Sequence, residues 1–449
     1  MKAALLYRWL EKLVVVRPAE VQALVWSFAY FFFLLASYYV LRPLRDEMGI
    51  AGGVKNLQWM FTATFVVMLA AVPLFGAIVA KLPRRRFIPL VYHFFVVNIA
   101  IFWVLLTFGS ARQEVARVFF VWISVFNLFA VSVFWSFMAD LFASEQGKRL
   151  FGFIAAGGSA GALVGPAVTV GLVVTLGPVN LLIAAAVLLE LAVLCAHRLE
   201  EAAPSLKSHP AAAADRPPAS SGGAPERMAR PDGRALGGGW LAGLAMVVRS
   251  PYLAGIALWV FLLSLAGTVL YFEQANIVAA ASGDPAVRTR IFATIDLSVG
   301  ILTIVVQFVA TGRLIARFGV GRAAAFLPLV FAIGFLVLAW TPAVLVVIGF
   351  QALQRTANFA VSNPAREVLF TVLDREEKYK AKNVIDIVVF RGADAVSGWL
   401  FALARGAGLE LPAISLATVP IAGLWLVLAL ALGRAQERRA QQAAPVSPA

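Results

Sequence analysis

The sequence predicts an all-helical integral membrane protein with twelve transmembrane helices in two pseudo-symmetric six-helix halves. Three observations predict it. Hydrophobic residues fill 61% of the 449 positions and charged residues only 14%, a balance foreign to soluble domains. About twelve apolar runs approach the roughly 20 residues that cross a ~30 Å hydrocarbon core, and none shows strand alternation, which favours helices over a barrel. A polar stretch rich in Pro, Ala, Ser and Gly, residues 197–239, divides those runs six and six.

Residues 1–20 carry Lys2, Arg8, Lys12 and Arg17. They lack a short apolar core followed by a cleavage site, so they read as a cytoplasmic lead-in to a retained first helix. The first half, residues 21–196, contains spans 1 to 6 at about Val21–Leu41, Leu57–Ala80, Ile88–Phe108, Val115–Ala139, Leu150–Val174 and Pro178–Ala196. Span 1 leads into Tyr38, Arg42 and Arg45, spaced four and three apart and therefore on one helical face. Pro43 favours a kink or break there. The cluster reads as an anion site at a broken helix end. The alternative is a membrane-interface end in which Arg42 and Asp46 pair at i,i+4.

Span 4 is mildly polar, and its Asn127 reads as a substrate contact or an interhelical hydrogen bond. Span 5 is a run of small residues, including Gly157, Gly158, Gly161 and Gly165, suited to close helix approach. It lacks the Gly-x-x-x-x-Gly-Lys pattern of a phosphate loop. His93 and Glu190 are lone polar groups on apolar helices and read as structural.

After the linker, Trp240–Val248 reads as an amphipathic surface helix that ends at Ser250-Pro251. The second half, residues 240–432, carries spans 7 to 12 at about Tyr252–Tyr271, Ile291–Ala310, Ala323–Trp340, Ala343–Leu373, Asn383–Ala404 and Pro412–Leu432. Residues 433–449 form a tail. Asp296, Gly300, Thr303 and Gln307 share one face of span 8; Gln351, Arg355, Asn358, Ser362 and Arg366 share one face of span 10. A polar stripe with two arginines is costly against lipid, so it lines a cavity or is buried against Asp296, Glu367, Asp386 and Asp394. Between spans 10 and 11 lies a charged connection with Lys380 and Lys382, followed by Arg391 and Asp394 within span 11. Glu273, at the outer end of span 7, reads as a gate or coupling residue, or as simply solvated.

The net charge of +14 follows topology. With both termini cytoplasmic, roughly 27 of the 38 basic residues fall on the cytoplasmic side and about eight outside, which argues against a nucleic-acid footprint. Cys195 is the single cysteine, and the three histidines are scattered, so neither a disulfide nor a metal cluster is expected. No cofactor is expected, nor a His or Cys constellation for an enzyme.

The halves repeat. Gly76-Ala-Ile-Val-Ala-Lys-Leu-Pro-Arg-Arg-Arg86 follows span 2, and Gly312-Arg-Leu-Ile-Ala-Arg-Phe-Gly-Val-Gly-Arg322 follows span 8. These loops resemble the cytoplasmic 2–3 and 8–9 loops of the major facilitator superfamily, which implies that fold and a substrate site near midplane between the halves. The stretch Asn363-Pro-Ala-Arg-Glu-Val-Leu-Phe-Thr-Val-Leu-Asp-Arg-Glu-Glu377, with Lys380-Ala-Lys-Asn-Val-Ile-Asp386, resembles the corresponding segment of the ATP/ADP translocase family of nucleotide transporters. Leu41-Arg-Pro-Leu-Arg-Asp46 and Phe134-Trp-Ser-Phe137 resemble two further motifs of that family. The resemblance implies phosphate recognition by Arg45, Arg366 and Lys382. Three departures separate the chain from the family pattern: Asn363 replaces an acidic residue, the family's span 4 glutamate falls near Ile123 and is missing, and Arg45 and Arg366 stand where the family has lysines.

Together these readings give a secondary transporter of a small organic anion, a nucleotide or other phosphorylated metabolite, working by alternating access in the inner (plasma) membrane. Tyr38, Arg42, Arg45, Asn127, Arg355, Asn358, Arg366 and Arg391 are the expected substrate contacts. Asp46, Glu273, Asp296, Glu367, Lys380, Lys382, Asp386 and Asp394 are the expected gate or coupling residues. The alternatives are a proton-coupled transporter of an unrelated small molecule and a transport-inactive membrane sensor or assembly factor.

Overall fold

The computed structural model describes residues 16–81, 84–207, 240–309 and 311–443. The lead-in before residue 16, residues 208–239 of the expected linker and the last six positions of the tail lie outside the described residues. Among the described residues every regular element is helical, and twelve helices are long and apolar enough to cross a membrane. Their backbone groups are satisfied within each helix, which lipid demands. Spans 1 to 6 are Pro18–Ala51, Val54–Ala71, Phe87–Phe108, Arg112–Leu141, Glu145–Leu176 and Leu181–Ala202. Spans 7 to 12 are Pro251–Ala281, Pro285–Gln307, Gly319–Trp340, Val344–Val372, Lys380–Gly406 and Leu411–Gln442. The chain crosses in alternation, so every odd-numbered span starts at the proximal face, where span 1 begins, and every even-numbered one at the distal face.

Several local features differ from expectation. Span 1 does not break at Pro43; its helix runs unbroken from Val21 to Ala51 and carries Arg42, Arg45 and Asp46 inside it. Proline is tolerated within a membrane helix because neighbouring helices re-satisfy the freed backbone carbonyl. Span 6 continues as helix to Lys207, eleven residues into the stretch expected to be linker. The charged connection after span 10 is helical: Arg375–Val384 leads through a π segment, Ile385–Val389, into Phe390–Gly406. Lys380 and Lys382 therefore stand on a helix rather than a loop. A second π segment, Asn358–Ser362, interrupts span 10. Such turns often mark functional positions in helices.

The expected surface helix is present as Trp240–Arg249, and Ser250 caps the next helix by accepting the Leu253 amide at 3.4 Å. Span 9 begins at Gly319, whose φ of +76° breaks the helical path and suits glycine.

Each half has its own apolar core. In the first, spans 1, 5 and 6 pack together, and a Cβ at Gly161 would strike the Phe32 carbonyl and the Ala36 amide of span 1. The small residues of span 5 thus bring its backbone against that of span 1. The second core extends beyond its own half. Ile50, Leu57, Met60 and Phe120, from the distal ends of spans 1, 2 and 4, are buried with it. The halves also meet where spans 5 and 8 pack, with Gly300 against Leu163, and where spans 2 and 11 pack, with Gly398 against Gln58.

Candidate functional site

Charged groups from both halves meet at one place inside the bundle. Arg42, Arg45 and Asp46 come from span 1, Tyr271 and Gln274 from span 7, Asp296 from span 8, and Gln351 and Arg355 from span 10, lining a common cavity with Phe292 and Ile295. Asp296 is its centre. The Arg355 guanidinium donates to Asp296 Oδ1 at 2.6 Å, and Arg42 of the opposite half lies 3.6 Å from the same oxygen. Asp296 is buried, and its Oδ2 has no hydrogen-bond partner. Arg42 thus pairs across the halves, not with Asp46 at i,i+4; Asp46 instead pairs with Arg45 at 3.4 Å and accepts from the Tyr271 hydroxyl at 2.9 Å. The Arg45 guanidinium sits 4.2 Å over the Phe120 ring and 5.8 Å from that of Tyr271, a cation–π arrangement that keeps it at a fixed depth.

A line of further charges runs from this cavity toward the proximal face. Arg391 lies 3.4 Å from Asp394, which also accepts hydrogen bonds from the Ser264 and Thr268 hydroxyls of span 7. Nearer the proximal end, Arg366 pairs with Asp386 at 3.1 Å and approaches Glu367 at 3.9 Å, while Lys382 pairs with Glu367. Arg366 Nε and Asn358 Oδ1 are buried with no hydrogen-bond partner. Lys380 is half-buried on the Arg375–Val384 helix.

The distal side is where the halves are fastened to each other. Arg288, at the start of span 8, donates through Nε and Nη2 to the two oxygens of Glu47 on span 1, at 2.7 and 2.6 Å. Trp399 of span 11 donates to Thr62 of span 2 at 3.1 Å and packs edge-on against Trp59. Arg42–Asp296 and Glu47–Arg288 are ion pairs that join the halves. Proximal pairs such as Arg149–Glu20, at 2.9 Å between spans 5 and 1, and Arg366–Asp386 lie within one half.

The sequence marked Arg42, Arg45 and Arg355 as substrate contacts and Asp46 and Asp296 as gate or coupling residues, and the fold brings all five to one cavity. Three expected residues lie elsewhere. Glu273 is neither solvated nor between the halves: it is fully buried, with Ser415 Oγ of span 12 at 2.8 and 2.7 Å from its two oxygens. Helical geometry turns it away from Tyr271 and Gln274, which face the cavity. Tyr38 packs against Phe126 with ring centroids 6.4 Å apart, while the Tyr39 ring lies beneath Arg42 at 5.6 Å. Asn127 is half-buried on span 4 and does not line the cavity. Ser362, on the expected span 10 stripe, is fully buried at the end of the π segment. The Glu47–Arg288 pair was missed. Its residues are 241 positions apart, and only the helix-end location of each hinted at it.

Twelve spans in two halves, with paired charges meeting between them, are the architecture of a membrane transporter. The chain belongs to the Major Facilitator Superfamily, whose family model matches residues 21–362. No curated protein sequence matches it. Among solved structures it is similar to the nucleoside transporter NupG, at 14% identity and a TM-score of 0.59 over 94% of this chain and 99% of that one. It is also similar to a bacterial homologue of the iron transporter ferroportin in an inward-facing state, at 12% identity and a TM-score of 0.60 over 93% and 98% of the two chains. A third is a bacterial homologue of the human lysosomal transporter Spinster, inward-facing and unoccupied, at 14% identity and a TM-score of 0.54 over 97% and 100%. At these identities the likeness establishes the shared fold.

Proposed function

We propose that this transporter moves a small organic anion, a nucleotide or another phosphorylated metabolite, by alternating access. One observation carries the reading: Arg42 and Arg355, from opposite halves, share the single carboxylate of Asp296 inside the bundle. Arginine grips a phosphate or carboxylate through a planar fork, and an anion offering several oxygens competes directly with Asp296 for both guanidinium groups. Arg391, Arg366 and Lys382 extend cationic groups from there toward the proximal face, each beside a carboxylate that holds it until substrate arrives. The distal fastening at Glu47–Arg288 and the separate proximal pairs fit a state open to the proximal side. In this reading that side is cytoplasmic, the membrane is the inner membrane, and residues 208–239 link two rocking halves. The resemblance of Asn363–Asp386 to ATP/ADP translocases supports a phosphorylated substrate.

A second reading, co-transport of protons, is favoured by the same pairing. An anion that takes Arg42, Arg355 or Arg391 leaves Asp296 or Asp394 as a buried charge without its cation, which a co-transported proton would compensate. One experiment separates the readings. Purified protein in proteoliposomes is given labelled nucleotide with and without nucleotide inside. Uptake that requires internal nucleotide supports exchange, whereas uptake driven by external acidification into empty vesicles supports proton coupling. Arg366→Ala is expected to abolish anion uptake while preserving folded protein. Unchanged uptake by that variant would remove Arg366 from the pathway, and no uptake of any phosphorylated anion by the parent chain would overturn the proposal.

A further inference from the structure

A threonine inside a membrane helix can satisfy its hydroxyl on its own backbone. Thr64, Thr169, Thr294 and Thr418 do so, each donating to the carbonyl four residues back at 2.8, 3.1, 2.8 and 2.8 Å. Thr268 of span 7 does not. Its hydroxyl, and that of Ser264 one turn earlier, converge on a single oxygen of span 11, Asp394 Oδ1, at 3.3 and 2.5 Å. Ser264 Oγ also lies 3.1 Å from the Phe390 carbonyl, directly after the π segment Ile385–Val389. Ser264 has one proton for these two acceptors. Arg391 is held by the other carboxylate oxygen, Oδ2, at 3.4 Å, so Oδ1 is left to the hydroxyls. Phe390, Asp394 and Ser397 step by four and three along one face of span 11. Ser397, one turn beyond Asp394, is fully buried, and its hydroxyl has no hydrogen-bond partner among the described residues.

We propose that Asp394 Oδ1, Ser264 Oγ, Thr268 Oγ1 and the Phe390 carbonyl form a sodium site, filled when the transported anion draws Arg391 away. The site rests on its own oxygens; its coupling to transport rests on the anion reading above. A carboxylate, two hydroxyls and a main-chain carbonyl from two helices are the ligand set of a hard cation. One carboxylate balances one positive charge, so a monovalent ion fits where a divalent ion would leave a buried surplus. Contacts of 2.5–3.3 Å among these oxygens suit a small ion rather than potassium. The Asp394 side chain is 15% exposed and that of Arg391 35%, which leaves an ion a way in. While Arg391 neutralises Asp394, the guanidinium repels a second cation. Once an anion takes that guanidinium, Asp394 is an uncompensated charge, and sodium answers it. Anion and sodium therefore strengthen each other's binding by the same factor.

The test uses the purified full chain. Arg391→Gln removes the competing cation, so with no phosphorylated anion present this variant is expected to melt at a higher temperature in sodium chloride than in potassium or choline chloride of equal ionic strength. Adding Thr268→Val or Asp394→Asn should erase the sodium-specific shift, and adding Thr268→Ser should keep it. A hydroxyl with a structural role alone would change the melting temperature equally in all three salts. In the parent chain, labelled ATP is expected to bind roughly tenfold more tightly in sodium than in choline. An Arg391→Gln variant that does not distinguish sodium from the other two cations would overturn the site. Should that variant not fold, the parent chain decides, and equal ATP affinity in sodium and choline overturns the proposal. Sodium-specific stabilisation of Arg391→Gln with no ATP binding in any salt would uphold the sodium site and count against a nucleotide substrate instead.

Discussion

Replacing Glu47 with glutamine should open the distal side. The substitution keeps the size of the side chain and removes its charge, leaving Arg288 beside a neutral amide. Glu47 is 1% exposed and Arg288 12%, so the surface discount for solvent screening does not apply to this pair. Its two short hydrogen bonds, 2.7 and 2.6 Å, are charge-assisted on both sides. A hydrogen bond to a charged group contributes about 1.5–3 kcal/mol. Breaking a buried ion pair by removing one partner costs about 3–5 kcal/mol. The pair joins the halves only while the distal side is closed; in an open state both groups are hydrated. The loss therefore falls on one conformation, and even 1.5–3 kcal/mol shifts the closed-to-open ratio by roughly 10–150-fold. Spin labels at Lys55→Cys and Glu410→Cys, exposed in distal segments of opposite halves, report that ratio as a distance distribution. Glu47→Gln and Arg288→Ala should each add a longer-distance population, and the reversed pair Glu47→Arg with Arg288→Glu should shorten it again. An unchanged distribution in both single variants would refute a fastening role for this pair.

Three further outcomes follow from the packing and the charges. Arg355→Ala takes from the anion one of the two guanidinium groups held by Asp296; loss of a charged hydrogen bond of about 1.5–3 kcal/mol predicts a drop in anion uptake of roughly 10–150-fold, read by initial rates at fixed protein in the vesicle wall. Gly161→Val forces a side chain into the Phe32 carbonyl and should destabilise the first half by about 1–3 kcal/mol, seen as a lowered melting temperature in detergent. Glu273→Leu with Ser415→Ala replaces a buried polar contact by apolar groups and should leave stability equal or raised and uptake intact; lost transport would place Glu273 in the mechanism.

The parts of this site legible in the sequence were those with a local period. Arg42 and Arg45 share a face because they are three apart, and Asp296, Arg355 and Arg366 stood out as charges in apolar helices, where chemistry demands a reason. The parts that were not legible depend on which helices become neighbours. Glu47 and Arg288 sit at helix ends, where a charge needs no explanation, and nothing local shows that those ends touch. Glu273 has the same signature as Asp296, one carboxyl on an apolar helix, yet one faces Ser415 of span 12 and the other faces the cavity. Pro43 was expected to kink or break span 1, and the helix does not break there: the rule that proline ends a helix comes from water, where freed carbonyls find a better alternative than they do in lipid.

The π segment at Asn358–Ser362 has a consequence for how this chain tolerates length changes. A π turn is geometrically an α-helix that has absorbed one surplus residue. Removing a single residue from that segment would let span 10 close into uninterrupted α-helix. Everything beyond it would keep its direction, because the bulge already compensates the surplus residue's rotation of about 100°. Arg366 would still reach Asp386, and Arg355 would keep its hold on Asp296. The surplus residue acts as a phase shifter: it lets the two arginines of span 10 serve two different neighbours, so a one-residue deletion inside the bulge should be tolerated where the same deletion between the bulge and Arg366 would turn that arginine away.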